Sequence, residues 1–203
     1  IRRYLEVLEQ LGFSATHSSR YPGSPLIASS LLRAVDRAVC IEQQPDEAAA
    51  LSRELAGRKR TTVIFGDGYR QLKAELPPRE RRGLVLIDPP YERASEMAEL
   101  AQALTLAWTR WPTGVFAAWY PIKAGAPAEA LCDSLASSGI RKILCCELCV
   151  RPRDAVAGLN GSGLLIVNAP WQLDVRAREI QAALLDRLAE AHAASRVEWL
   201  VPE

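Results

Sequence analysis

Short runs of aliphatic and β-branched residues alternate with stretches of helical period along most of the chain. After an amphipathic start, with Leu5, Leu8 and Leu11 at helical spacing, four apolar runs follow: Ala38 to Ile41, Thr62 to Phe65, Leu84 to Ile87 and Val115 to Trp119. Each is short and continuous, as buried parallel strands are. Helical patterns follow them in turn: Ala48, Leu51 and Leu55; Tyr69, Leu72 and Leu76; Leu100, Leu104 and Trp108; Leu131 and Leu135. Strand, helix, strand, repeated, predicts an α/β sheet.

The alternation then breaks. Lys142 to Val150 and Leu164 to Val167 are strand-like runs joined by a loop, 151–163, rich in Gly, Asp and Asn and without helical period. So direct a connection makes the two strands antiparallel neighbours, because a parallel pair needs a longer crossover. A last helix (Ile180, Leu184, Leu188) and a short strand, Val197 to Val201, complete the pattern. A mostly parallel sheet ending in an antiparallel hairpin is the outline of the Rossmann-like methyltransferase fold. No repeat or linker divides the chain, so residues 1–203 read as one domain, and folding at this length buries roughly 70% of the surface of the unfolded chain.

Composition adds exclusions. The 25 Lys plus Arg residues balance 24 Asp plus Glu, leaving a net charge of +1 and no whole-molecule attraction to nucleic acid or anionic lipid. No stretch approaches the roughly 18 apolar residues of a membrane span, and the start is too charged for a secretory segment. Five cysteines, three of them at Cys145, Cys146 and Cys149, fit a reducing compartment and point to the cytoplasm.

Three of the apolar runs lead into an acidic residue. Glu42, Asp67 and Asp88 are 25 and 21 residues apart, each interval the length of one strand and crossover helix. Parallel strands with right-handed crossovers put such residues on one sheet edge, the edge where open α/β sheets bind ligands. Glu42 is placed to accept hydrogen bonds from a ribose diol. Asp67 sits between Gly66 and Gly68, which suits a tight turn and close approach to a flat ring.

Asp88-Pro89-Pro90-Tyr91 carries the sharpest chemistry. Two prolines after an apolar strand stop the hydrogen-bond ladder and fix the backbone, which holds the Asp88 carboxylate and the neighbouring carbonyls as a cluster of acceptors. Acceptors without donors invite an amino group. The Tyr91 ring can stack on a nucleobase and aim its exocyclic amine at them.

These residues, with Tyr21 to Ala28, Gly66-Asp67-Gly68, Leu72 to Pro78, Arg82 to Glu92, Trp119-Tyr120-Pro121, Gly139 to Leu144 and Trp199 to Glu203, resemble the bacterial 23S ribosomal RNA adenine-N6 methyltransferase family known as RlmJ. The likeness extends from about Tyr21 to the last residue. It implies a class I methyltransferase fold that uses S-adenosylmethionine, with cofactor contacts at Ser24, Glu42, Asp67, Gly68 and Asp88. Asp88 would also accept the proton, alongside Pro89 and Tyr91 at the target base. The implied partner is 23S ribosomal RNA, with no membrane, no metal and a monomeric chain. Ser24 has a local reading too, as the N-cap of a helix with Pro25 at its first position.

No strand with a Gly-rich turn precedes Ser24, so the chain reads as the C-terminal portion of such an enzyme, with 1–20 as the end of a helical insertion. Two rivals stay open: the same chemistry on DNA adenine or a protein amide, and an RNA-binding chain without turnover. In a strand Cys146 points away from Cys145 and Cys149, which argues against a shared zinc site and for buried thiols. His17 and His192 lie 175 residues apart with no triad setting. Arg79, Arg81, Arg82, Arg141, Lys142, Arg151 and Arg153 can form a phosphate-contacting rim or a solvated surface. Trp119 can line the base pocket or pack in the core.

Overall fold

A computed structural model describes residues 1–13, 21–93, 95–125, 128–156 and 158–203, in two compact units, Ile1–Ala74 and Glu75–Glu203. His17 lies outside the described residues.

The first unit contains α1 (Arg2–Gln10), α2 (Ser24–Leu31), β1 (Ala38–Glu42), α3 (Pro45–Glu54), β2 (Thr61–Phe65) and most of α4 (Gly68–Glu75). Helix α3 has a proline in its first turn, Asp46 and Glu47 beside it and Arg53 in the last turn, the order that the helix dipole favours. Its buried Ala48 and the following Leu55 face β1 and β2, which pair in parallel from Ala38–Thr61 to Glu42–Phe65. This in-register pairing brings the carboxyl ends of both strands to one edge.

The second unit contains β3 (Leu84–Ile87), α5 (Glu96–Arg110), β4 (Val115–Ile122), α6 (Ala128–Ala136), β5 (Ile143–Cys149), β6 (Gly161–Val167), α7 (Leu173–Leu188) and β7 (Ala194–Val201). Its sheet has the order β3-β4-β6-β5-β7. Strands β3, β4 and β5 run one way and β6 and β7 the other. Leu100 and Leu104 of α5 and Leu131 and Leu135 of α6 are buried, as are Phe116, Ala118 and Tyr120 of β4 and Ile143 and Leu144 of β5. Each such leucine, isoleucine or phenylalanine side chain contributes about 1.5–3 kcal/mol over an exposed one.

The expected hairpin is present, with β5 and β6 antiparallel, and β6 inserts between β4 and β5. Several strands depart from expectation: β6 starts at Gly161 rather than Leu164, and β7 at Ala194 rather than Val197. β4 continues past Trp119 to Ile122, where a proline at 121 is tolerated because β3 stops pairing at Ala118. β3 ends the sheet, with no described strand on its outer edge. Leu84 and Leu86 stand exposed while Val85 and Ile87 are half-buried, the alternation of a strand covered on one face.

Candidate active site

In the first unit the two acidic residues sit at neighbouring strand ends. The Glu42 carbonyl accepts from Gly66 N–H at 2.9 Å, which extends the ladder by one bond. Glu42 Oε1 accepts from Gln44 N–H at 2.8 Å, leaving Oε2 without a partner among the described residues. Asp67 caps α4: its Oδ1 accepts from the N–H groups of Tyr69 (2.9 Å) and Arg70 (3.3 Å), while Arg70 approaches Oδ2 at 3.5 Å. The sequence suggested a glycine-dependent turn here, and the backbone differs. Neither Gly66 nor Gly68 has a positive φ, and a Cβ at Gly68 would meet nothing within 4 Å, so the cap shapes the turn. Ser24 is the first residue of α2, Gly23 is the N-cap, and the Ser24 side chain makes no capping bond.

In the second unit β3 ends at Ile87, one residue before Asp88, as the two prolines require. The Asp88 carboxylate has no hydrogen bond or ion pair among the described residues, and partial burial raises its pKa above the ordinary aspartate value. Tyr91 is held from two sides. Its backbone is left-handed, with φ 55°, a conformation that costs a side-chain-bearing residue about 1–3 kcal/mol and persists where its surroundings enforce it. Its hydroxyl donates to the Trp119 carbonyl near the end of β4, and the two rings lie 5.8 Å apart, tilted by 58°. An unpartnered acceptor thus stands three residues from a ring whose orientation is fixed, an arrangement suited to a flat base with an amino group.

The chain matches the family model for ribosomal RNA large subunit methyltransferase D, RlmJ, over residues 1–201. It belongs to that family. It is 39% identical over 204 residues to ribosomal RNA large subunit methyltransferase J of Haemophilus influenzae, covering all of this chain and 73% of that protein. It is also 39% identical over 184 residues to the protein of the same name from Escherichia coli, covering 90% of this chain and 66% of that one. A crystal structure of a protein from Legionella pneumophila superposes with a TM-score of 0.89 at 31% identity, over 98% of this chain and 73% of that one. A putative rRNA-methylase from Clostridium thermocellum shares the fold alone, with a TM-score of 0.50 at 15% identity over 71% and 81% of the two chains. The fold is accordingly that of the class I methyltransferases, α/β with an antiparallel part.

Against this RlmJ frame the basic residues separate into two groups. Arg79, Arg81 and Arg82 precede β3, and Arg141 and Lys142 precede β5, so all five lie at the amino end of the parallel strands, away from Asp88. Arg141 donates to the Glu203 carbonyl, and Lys142 pairs with the Glu203 side chain. Only Arg151 and Arg153 follow β5 at the Asp88 end, and both are engaged, Arg151 with Glu190 at 2.5 Å and Arg153 with Glu147 at 2.7 Å. One continuous phosphate rim is therefore not formed.

The sequence reading missed the cluster around Glu147. This carboxylate is 2% exposed, accepts from the Tyr120 hydroxyl at 2.7 Å and from two Arg153 nitrogens at 2.7 and 3.0 Å, and has Arg196 at 3.5 Å. Burial raises its pKa, but the Arg153 and Tyr120 hydrogen bonds and both arginine charges outweigh it, and the net shift is downward. The thiols of Cys132 and Cys145 converge on the same carboxylate as a possible ligand set. Its oxygens are already taken up by guanidinium and hydroxyl donors, so the donors present fit a hydrogen-bonded ion cluster better than a cation. Cys146 is on the other face as expected, its thiol pushed up to about 11 by burial. The one available signal was an acid inside an otherwise apolar strand, Cys145-Cys146-Glu147-Leu148-Cys149.

Proposed function

We propose that this chain transfers a methyl group from S-adenosylmethionine to the N6 amine of an adenine in 23S ribosomal RNA, in the cytoplasm. Family membership supports the reaction class and the ribosomal substrate. The observation that carries the amine as acceptor is the Asp88-Pro89-Pro90-Tyr91 turn, with its unpartnered carboxylate and its pinned ring.

Adenine N6 is a poor nucleophile because its lone pair is delocalised into the ring. Hydrogen bonds from its two hydrogens to Asp88 and the Pro89 carbonyl favour a pyramidal nitrogen with a localised lone pair, and Tyr91 fixes the plane of the base. When bound, S-adenosylmethionine would supply an electrophilic methyl group whose leaving group is a neutral thioether, so the surplus charge to be handled by the protein is the proton on the attacked nitrogen. The nitrogen becomes cationic, and Asp88 accepts its surplus proton. Glu42 Oε2 is available for a ribose hydroxyl, and the amino end of α4 at Asp67 and Gly68, with Ser24, supplies further polar contacts for the donor. Each unit taken by itself offers acceptors that suit this donor in chemistry, Glu42 Oε2 in the first and the Asp88 carboxylate in the second, neither with a partner among the described residues. The base must leave its stack to reach the turn, so an unpaired RNA segment is the natural target.

Mass spectrometry of 23S ribosomal RNA from cells with and without the gene tests the reading. One adenine should lose its N6-methyl group in the deletion and regain it when the gene is restored. An unchanged adenine methylation pattern rejects the ribosomal substrate, and methylation found instead on DNA or protein transfers the chemistry to another acceptor.

A further inference from the structure

The Glu147 cluster lies outside the reacting groups, and its geometry connects it to a loop at the same edge. Tyr120 on β4 is opposite Gly163 on β6, Gly163 is opposite Glu147 on β5, and Glu147 is opposite Arg196 on β7. One row therefore crosses four strands. A tyrosine hydroxyl can span β6 and reach Glu147 only where β6 offers no side chain: a Cβ at Gly163 would fall 2.0 Å from Tyr120 Cζ. Burial raises the Tyr120 pKa and keeps its hydroxyl a donor.

From Glu147 the network continues into the loop at 151–160. Arg153 grips both carboxylate oxygens. Its own carbonyl and that of Ala155 accept from Asn160 Nδ2, at 3.1 and 2.7 Å. Asn160 is fully buried, its N–H donates to the Ile122 carbonyl at the end of β4 at 2.8 Å, and its carbonyl accepts from Val150 N–H at 2.9 Å. The base of the loop is thus fixed at both ends, while among its described residues Val156 is 93% exposed and Leu159 54% exposed. Because β5 runs parallel to β3, this loop emerges at the same edge as Asp88 and Tyr91. Adjacent residues of β4 serve the two rims: Trp119 holds Tyr91, and Tyr120 holds the carboxylate that holds the loop.

A buried ion pair rarely adds net stability over apolar residues of the same volume, and its better-attested use is to fix one arrangement. We propose that Glu147 is a positioning residue: through Arg153, braced by Tyr120, it sets the described residues of the loop after β5, 151–156 and 158–160, as a wall that grips the RNA segment beside the target base. The proposal rests on the ribosomal RNA reading above and adds the loop and its latch to it. The contacts proposed for it are apolar, through the exposed Val156 and Leu159 against bases and ribose.

The test compares intact wild-type protein with Glu147→Gln and Tyr120→Phe, using a 23S ribosomal RNA transcript and S-adenosylmethionine as separate ligands. Both variants should weaken RNA binding by at least roughly tenfold for Glu147→Gln and less for Tyr120→Phe. S-adenosylmethionine affinity and kcat should stay unchanged, and amide exchange should speed up at 151–160. Unchanged RNA affinity in folded Glu147→Gln overturns the latch, as does a loss of S-adenosylmethionine affinity equal to that of RNA. If Glu147→Gln does not fold, p-benzoylphenylalanine in place of Val156 leaves the latch intact. Ultraviolet cross-linking of that position to the transcript supports the wall, and its absence under saturating RNA overturns it. A wild type that binds the transcript without methylating it removes the functional reading and leaves the loop comparison decisive, whereas a variant that methylates with wild-type KM for RNA removes only the latch.

Discussion

At the carboxyl end of the second unit's sheet, Arg153 and Arg196 converge on one buried carboxylate, while at the amino end Arg79, Arg81 and Arg82 stand exposed with no ion pair among the described residues. The charges at the first end are costly to bury and define geometry. Those at the second end are solvated, and single solvated charges contribute little to stability. The difference teaches that arginines close together in sequence say little about a binding surface until strand direction is known. The two ends should respond differently to substitution.

The largest effect belongs to Asp88. Its carboxylate has no partner among the described residues and burial disfavours its charge, so Asp88→Asn should leave the unfolding midpoint unchanged or slightly higher and lower methyl transfer by about 10²–10⁴-fold, the range of a lost general base. Single-turnover transfer of labelled methyl to the RNA measures it, and a variant within threefold of wild type would put the proton elsewhere. The rate should also fall in acid as Asp88 protonates, with a midpoint above the ordinary aspartate pKa because burial raises it.

Next is the buried cluster. Glu147→Ala leaves Arg153 and Arg196 partly solvated but strands the buried Tyr120 hydroxyl, so it should cost about 1–3 kcal/mol in urea unfolding. The Glu147 pKa is lowered in the folded state, so its contribution is present above the ordinary glutamate range and is lost as pH falls through the lower folded value. Wild type should therefore lose more stability in that acid window than Glu147→Ala does. Equal acid sensitivity would mean that Tyr120, Cys132, Cys145, Arg153 and Arg196, which surround the carboxylate, do not favour its charged form. Gly163→Ala should destabilise through the same row, by driving a methyl group into the Tyr120 ring.

Much of this edge was legible in the sequence. The end of β3 at Ile87 follows from two prolines, and the antiparallel pairing of β5 with β6 follows from a short loop without helical period. The Glu147 row was not legible, because Tyr120, Gly163, Glu147 and Arg196 are distant in sequence and meet only through strand register. Register depends on which strand inserts between which, and that order is absent from local pattern. Asp67 shows the opposite limit: its position after β2 was readable, but whether its oxygen caps α4 or meets a ligand depended on the start of the helix.

Tyr91 gives an intermediate effect that separates its two duties. Tyr91→Ala removes the ring and should raise KM for RNA by the equivalent of about 1–3 kcal/mol of stacking. Tyr91→Phe keeps the ring and loses the bond to the Trp119 carbonyl, about 1 kcal/mol, with its effect divided between stability and orientation. Equal defects in the two variants would show that orientation by Trp119, rather than stacking, governs the base.

The smallest effect is expected at the amino end, and it sharpens the contrast most. Each phosphate contact contributes about 0.7–0.9 to the slope of log affinity against log salt. Arg79, Arg81 and Arg82 precede β3 and lie away from Asp88, so replacing all three with Gln should leave that slope and kcat unchanged for a short RNA that holds only the target segment. A slope that falls by two or more on the short RNA would place phosphate contacts at the amino end and break the contrast. A loss confined to longer RNA would keep it, since only an extended substrate can pass from the Asp88 edge around to the opposite end of the strands.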